Sequence, residues 1–180
     1  MSANLSLTIT IQGGGTLRET TGVNPASEAV TIGASGFPAL QIALTNGTGD
    51  DQANQWYAAR RTLANGGTDS LDLNAVAGGL TNKFGQSLVL TKVRALLVVI
   101  DNPDGTKAVT VGPQNVANAW QGPFLGTGAQ AGITVKHLAI VACGKGAGLG
   151  TVTPGTGDLL VVKNNSGVPV DYYVWPVGVE

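Results

Sequence analysis

Apolar and hydroxyl residues alternate near the start of the chain, where Leu5, Leu7, Ile9 and Ile11 interleave with Ser6, Thr8 and Thr10. Successive side chains of a strand point to opposite faces, so this period of two predicts a strand with one apolar and one hydroxyl face. Comparable runs recur at 29–32, 39–45, 55–63, 88–100, 107–111, 133–142, 159–163 and 168–174, giving about nine strands in all. Helical periodicity is nearly absent. Only residues 72–84 (DLNAVAGGLTNKF) predict a helical turn, capped by Asn74 and stopped early by Gly78-Gly79.

The gaps between runs carry turn chemistry. Asn102-Pro103-Asp104-Gly105 and Asn164-Asn165-Ser166-Gly167 predict hairpins, because Gly and Asn tolerate the positive φ that tight turns require. Asn46-Gly47 and Asn65-Gly66 add two more such steps. Residues 112–131 form a long loop containing Trp120 and Phe124, and loops of that length are commonly functional. Many strands joined by Gly-rich turns without helices predict an all-β fold. The expected architecture is a single-domain β-sandwich over residues 1–180, jelly-roll-like, with about nine strands and long loops. The N-terminal strand, residues 4–12, is a candidate arm.

Composition narrows the function. Apolar residues make up 43% and charged residues 12%, which excludes intrinsic disorder. The net charge of −1 argues against nucleic-acid binding, which depends on clustered Lys and Arg. Cys143 is the one cysteine, so no intramolecular disulfide forms. The opening MSANLSLTIT lacks the basic and unbroken apolar regions of a secretory signal, and the longest apolar run, 88–100, is interrupted by Thr91, Lys92 and Arg94. No export and no membrane association are expected.

Reactive chemistry is sparse. Gly144-Lys145-Gly146-Ala147-Gly148-Leu149-Gly150 follows an apolar strand, but Lys145 precedes Gly146 and no helix can start at Thr151-Val152-Thr153-Pro154, so a phosphate loop is not predicted. His137 and Cys143 would stand about 20 Å apart along a strand, too far for a nucleophilic pair. Ser35 in Gly33-Ala34-Ser35-Gly36 lacks nucleophile-elbow spacing. Asp50, Asp51, Asp101 and Asp104 offer calcium-type oxygen ligands, against the plainer reading that they form turns. No cofactor, metal or catalytic centre is predicted.

The remaining candidates are contact residues. Alternation places Trp56, Ala58 and Arg60 on one face, with Tyr57, Ala59 and Arg61 on the other. Arg and large aromatics are favoured in interfaces, so Trp56, Tyr57, Arg60, Arg61, Trp120 and Phe124 are the candidate interface residues. The competing reading puts Trp56 in the core and leaves the arginines solvated.

Residues 43–99 also carry a resemblance. Asn-Gly-Thr-Gly at 46–49, Gln-Ala-Asn-Gln at 52–55, Arg-Thr-Leu at 61–63, Leu-Asp-Leu at 71–73 and Phe84-Gly85 before a long strand are similar to small virion proteins of tailed bacteriophages and prophages. Gly122-Pro123-Phe124, Thr156-Gly157-Asp158-Leu159-Leu160 and the Asn-Ser-Gly turn extend the similarity over nearly the whole chain. Ala58-Ala59 departs from the polar residues associated with that position in the family, so a contact there does not transfer. The resemblance implies a β-rich, non-enzymatic capsid decoration or cement protein, made in the host bacterial cytoplasm and placed on the capsid surface. Its implied partners are the major capsid protein and itself, as a homotrimer, with neither nucleic acid nor membrane. Alternatives are a tail- or fibre-associated subunit, and a carbohydrate-binding module stacking sugars on Trp120 or Tyr172. An enzyme built on Asp50, Asp51 and His137 comes last.

Overall fold

The computed structural model describes residues 7–11, 13–18, 27–32, 40–75, 79–82, 85–124, 126–129, 131–142 and 145–180. The chain is all-β, with no helix among the described residues. Its strands are β1 (Leu7–Ile11), β2 (Gly13–Arg18), β3 (Ser27–Ile32), β4 (Leu40–Asn46), β5 (Gln52–Ala53), β6 (Gln55–Trp56), β7 (Ala59–Leu63) and β8 (Thr68–Asp72). They continue as β9 (Lys92–Ile100), β10 (Val109–Val111), β11 (Ile133–Val135), β12 (Leu138–Ala142), β13 (Gly150–Thr151), β14 (Leu159–Asn164) and β15 (Val170–Val179).

Two antiparallel walls form a β-sandwich. One wall runs β12-β9-β15-β7, with β6 and β13 extending its rows, and the other runs β11-β10-β14-β8. Period-two alternation turns one face of each wall inward. Leu96, Val98 and Ile100 of β9 and Val170, Tyr172 and Val174 of β15 meet Leu160 and Val162 of β14, Val109 and Val111 of β10, and Leu71 of β8 in one core. Burying each such aliphatic side chain contributes about 1.5–3 kcal/mol. The outward neighbours on β15, Asp171, Tyr173 and Trp175, remain partly or fully exposed. A smaller cluster of Leu44, Ala53, Ala95 and Val177 lies beside partly buried Trp56 and Leu97, where β4 and β5 pack on the other face of β9 and β15. Strands β1 and β4 pair antiparallel, and β2 and β3 form a separate two-stranded sheet.

The described residues form fifteen strands rather than about nine, because two predicted runs are divided and β2, β5, β8 and β13 lie outside the predicted runs. The run 55–63 splits at Tyr57-Ala58, opposite Pro176. Tyr57 N–H donates to Pro176 O at 3.0 Å, but the reciprocal bond of an antiparallel pair is missing because proline has no N–H. Next to it, the β15–β9 register shifts between Val177 and Gly178. A Cβ on Gly178 would lie 2.0 Å from Lys92 O, so this bulge requires glycine. The run 133–142 likewise breaks, because β11 belongs to one wall and β12 to the other.

The predicted hairpins are corrected in the same way. Asn102–Gly105 joins β9 to β10, and Asn164–Gly167 joins β14 to β15, yet neither pair of strands is hydrogen-bonded. Both turns carry the chain from one wall to the other. The helical turn predicted at 72–84 is absent among its described residues. Asn74 instead bridges to Val89 and donates its side-chain amide to Leu90 O; residues 76–78 and 83–84 lie outside the described residues.

Asn164, fully buried, fixes two of these corners. Its Nδ2 donates to Leu63 O, Ala64 O and Val168 O, while its Oδ1 accepts from Ser166 N–H and Oγ–H. The β7–β8 turn and the β14–β15 turn are thereby tied to one side chain. Asn164→Ala leaves several buried polar groups unpaired and should destabilise the fold by about 2–4 kcal/mol in urea unfolding; a loss below about 0.5 kcal/mol contradicts this role.

Candidate functional site

The six candidate interface residues separate into two groups. Trp120 and Phe124 are buried at 1% and 6% exposure, with rings 5.9 Å apart at 87°. The described part of the 112–131 loop turns these rings into the core and is held by Trp120 N–H to Leu159 O, Trp120 Nε1–H to Thr151 O and Gln114 Nε2–H to Ala131 O. A Cβ on Gly122, at φ 41°, would sit 2.4 Å from the Trp120 ring. Trp120 and Phe124 are therefore core residues rather than outward contacts. Tyr57 is also buried, and Trp56 is half-buried against the smaller cluster. Tyr172 is fully buried, so neither it nor Trp120 can stack on a sugar.

Arg60 and Arg61 leave β7 on opposite faces, as strand alternation requires. Arg60 is exposed and forks between two carboxylates, with Nε donating to Asp101 and Nη2 to Asp171, both at 2.8 Å. Its hydrogen bond to Asp101, then the charge of Asp171, raises its pKa above the ordinary value. Thr62 Oγ–H also donates to Asp171 at 2.5 Å, fixing that carboxylate on the wall's outer surface.

Arg61 turns toward the opposite wall. Its guanidinium binds both oxygens of Asp69 on β8, and its Nη1 donates to Tyr57 Oη at 3.2 Å. Tyr172 Oη–H donates to Asp69 at 2.8 Å. Residues from β7, β15 and β8 thus form a polar strap across one side of the sandwich. The Asp69 hydrogen bond raises the Arg61 pKa, and burial followed by the Asp69 charge raises that of Tyr172.

Arg94, which the sequence shows only as an interruption in an apolar run, is 1% exposed. It donates to two loop carbonyls, Gly146 O at 2.7 Å and Gly49 O at 3.2 Å, while its Nε finds no partner among the described groups. Asp50 Oδ1 accepts from Gly146 N–H at 3.0 Å and Lys145 Nζ lies 3.8 Å from Asp51, so these groups clamp the 46–51 loop onto the Gly-rich loop. Asp104 forms a turn: its Oδ1 accepts from Thr106 N–H, Thr106 Oγ–H and Lys107 N–H, which holds its pKa down at about 2. Asp101 is spent on Arg60.

Among the described residues no group of three His, Cys, Asp or Glu side chains could hold a metal ion, and no helix is long and apolar enough to cross a membrane. His137 is exposed. Cys143, Gly144 and the Ser35 motif lie outside the described residues.

Sequence reasoning missed Asp69 and Asp171, and read Asp101 as a turn former or calcium-type ligand, because each becomes an arginine partner only through pairing across strands. Tyr173 and Trp175, ring centroids 6.2 Å apart and 18° from parallel, were visible in the Asp171-Tyr172-Tyr173-Val174-Trp175 alternation.

Comparison with models of protein families, with curated proteins and with solved structures gives no match.

Asp69→Ala strands Arg61 and Tyr172 and should cost about 2–4 kcal/mol by urea unfolding; Asp101→Ala, on the exposed face, should cost less. A raised tyrosine pKa means the folded state keeps a proton that the unfolded chain loses above its ordinary value of 10.0. Stability should therefore fall as pH rises above that value, with a smaller fall in Tyr172→Phe; equal slopes for both proteins contradict the assignment.

Proposed function

We propose that this chain is a structural protein of a tailed-phage virion, a decoration or cement protein that binds across junctions of the major capsid protein. The phage resemblance of the motifs at 46–49, 52–55 and 61–63 supplies the identity of the partner. The strand order supports the same kind of building block. Taking the sandwich strands β7, β8, β9, β10, β11, β12, β14 and β15 in order, the first pairs the last, the last the third and the third the sixth. In the other wall the order is second, seventh, fourth, fifth, an order that supports the expected jelly-roll-like arrangement.

The observation that carries the reading is which surface the fold leaves uncommitted. The inner faces, the polar strap and the Trp120 and Phe124 rings of the long loop are used internally. Beyond the part covered by β4 and β5, the outer face of β9, β12 and β15 retains Trp175 at 36% and Leu138 at 52% exposure, with Tyr173 and Val99 half-buried between them and the Arg60 fork at the border. An aromatic and apolar centre with a charged rim is the composition of a protein interface. Arg60, Arg61, Asp69, Asp101 and Asp171 are engaged in ion pairs and Asp104 in a turn, an arrangement suited to a binding protein.

Particles lacking the protein should release DNA at a lower temperature than complete particles, and adding back the purified chain should restore release to the higher temperature. A Trp175→Ala chain should restore it less well. Identical release curves with and without the protein contradict a cementing role, and labelling confined to the tail selects a tail subunit instead.

A further inference from the structure

We propose that β4, the 46–51 loop and β5 form a flap that lifts as a unit from the outer face of β9 and β15, regulating the apolar face on which the capsid reading rests. That face is laid out in rows. Along the β15–β9 ladder its outward pairs are Tyr173–Val99, Trp175–Leu97 and Val177–Ala95. Tyr173 and Val99 are partly open and Trp175 is exposed, whereas Leu97 is half-buried at the margin of the flap. Val177 and Ala95 are buried at 4% and 0% exposure, in one cluster with Leu44 and Ala53 of the flap. Lifting the flap adds this last row to the open face.

The flap holds together on its own. β4 pairs with β5, Thr45 N–H donates to Asp51 O at 3.0 Å, Gly47 N–H to Ala53 O at 3.3 Å and Gly49 N–H to Gln52 Oε1 at 2.8 Å. Among the described residues neither β4 nor β5 ladders with β9 or β15, so lifting breaks no strand pairing with the wall. The apolar hold is small: Leu44 and Ala53 against Ala95 and Val177, beside a sandwich core that spans both walls. A segment with few buried apolar contacts opens at lower free energy than the core it rests on.

A latch keeps it shut. Arg94 is the residue of β9 that its neighbours skip: β15 pairs with Ala95 and then Val93, while β12 ends opposite Ala95 and β13 begins opposite Val93. Such a bulge re-aims a side chain. The Arg94 guanidinium donates to Gly49 O of the flap and to Gly146 O of the Gly-rich loop. Asp50 accepts from Gly146 N–H, and Lys145 lies 3.8 Å from Asp51. The closed latch carries costs. Arg94 Nε is buried without a partner among the described groups, and Asp51 is held at φ 54°. Both are relieved when the flap lifts and water reaches the loop.

The capsid reading supplies only what the face meets; the opening is tested on the purified full chain with no particles present, so the two fail separately. In hydrogen exchange across a denaturant series, the amides of Thr45, Gly47 and Gly49 should share one opening, about 100-fold more frequent than that of β9 and β15. Its denaturant dependence should be smaller than the global one but not zero. Asp50→Ala, at an exposed position, removes one latch bond and should raise this opening about tenfold while leaving β14 unchanged. Ala95→Cys in a Cys143→Ser background should react with a thiol reagent in step with the flap, about tenfold faster once Asp50→Ala is added. Flap amides that exchange only with the whole sandwich, that show no denaturant dependence, or that ignore Asp50→Ala overturn the proposal. So does a thiol at position 95 that reacts only on global unfolding.

Discussion

Two sheets can face each other only if every inward side chain of one finds a complement on the other, and this requirement organises the molecule. Leu96, Val98, Ile100, Tyr172 and Val174 on one wall are matched by Leu71, Val109, Val111, Leu160 and Val162 on the other. A one-residue slip in either wall would expose its whole apolar set, so the register is fixed by the core itself. What the core uses is unavailable for function. Activity must lie on outer faces, edges and corners.

The charged residues follow from that division. Arg61, Asp69 and Tyr172 form a satisfied network where one side of the sandwich meets solvent. Arg94 lies deeper and relies on backbone carbonyls, which ties two distant loops together instead of neutralising its charge. Arg60, on the outer surface, is arranged by Asp101 and Asp171 into a fixed guanidinium platform beside Tyr173. The first two are structural and the third faces outward. Adjacent positions on one strand thus serve opposite ends, as strand geometry demands.

The all-β class was legible because period-two alternation is a local property, written in runs such as residues 159–163 and 168–174. The turns were legible as turns but not as corners. Asn-Gly and Asp-Gly steps set how sharply the chain bends; they do not say whether the next strand joins the same sheet. The break at Tyr57-Ala58 was hidden because its cause, Pro176, is remote in sequence and acts only through pairing. Trp120 and Phe124 looked like contact residues because they sit in a long polar loop, yet both rings turn inward and join the core. At the site, the arginines of β7 were recognisable, while their carboxylates on β8, β15 and after β9 were not.

The account depends on both walls sharing one core, and native-state hydrogen exchange measures this directly. Amides of β9 and β15 in one wall and of β10 and β14 in the other should exchange only through the same global opening, with equal opening free energies and equal denaturant dependence. If one wall exchanges through a separate, lower-energy opening while the other stays protected, the two sheets do not form a single cooperative block and the account fails.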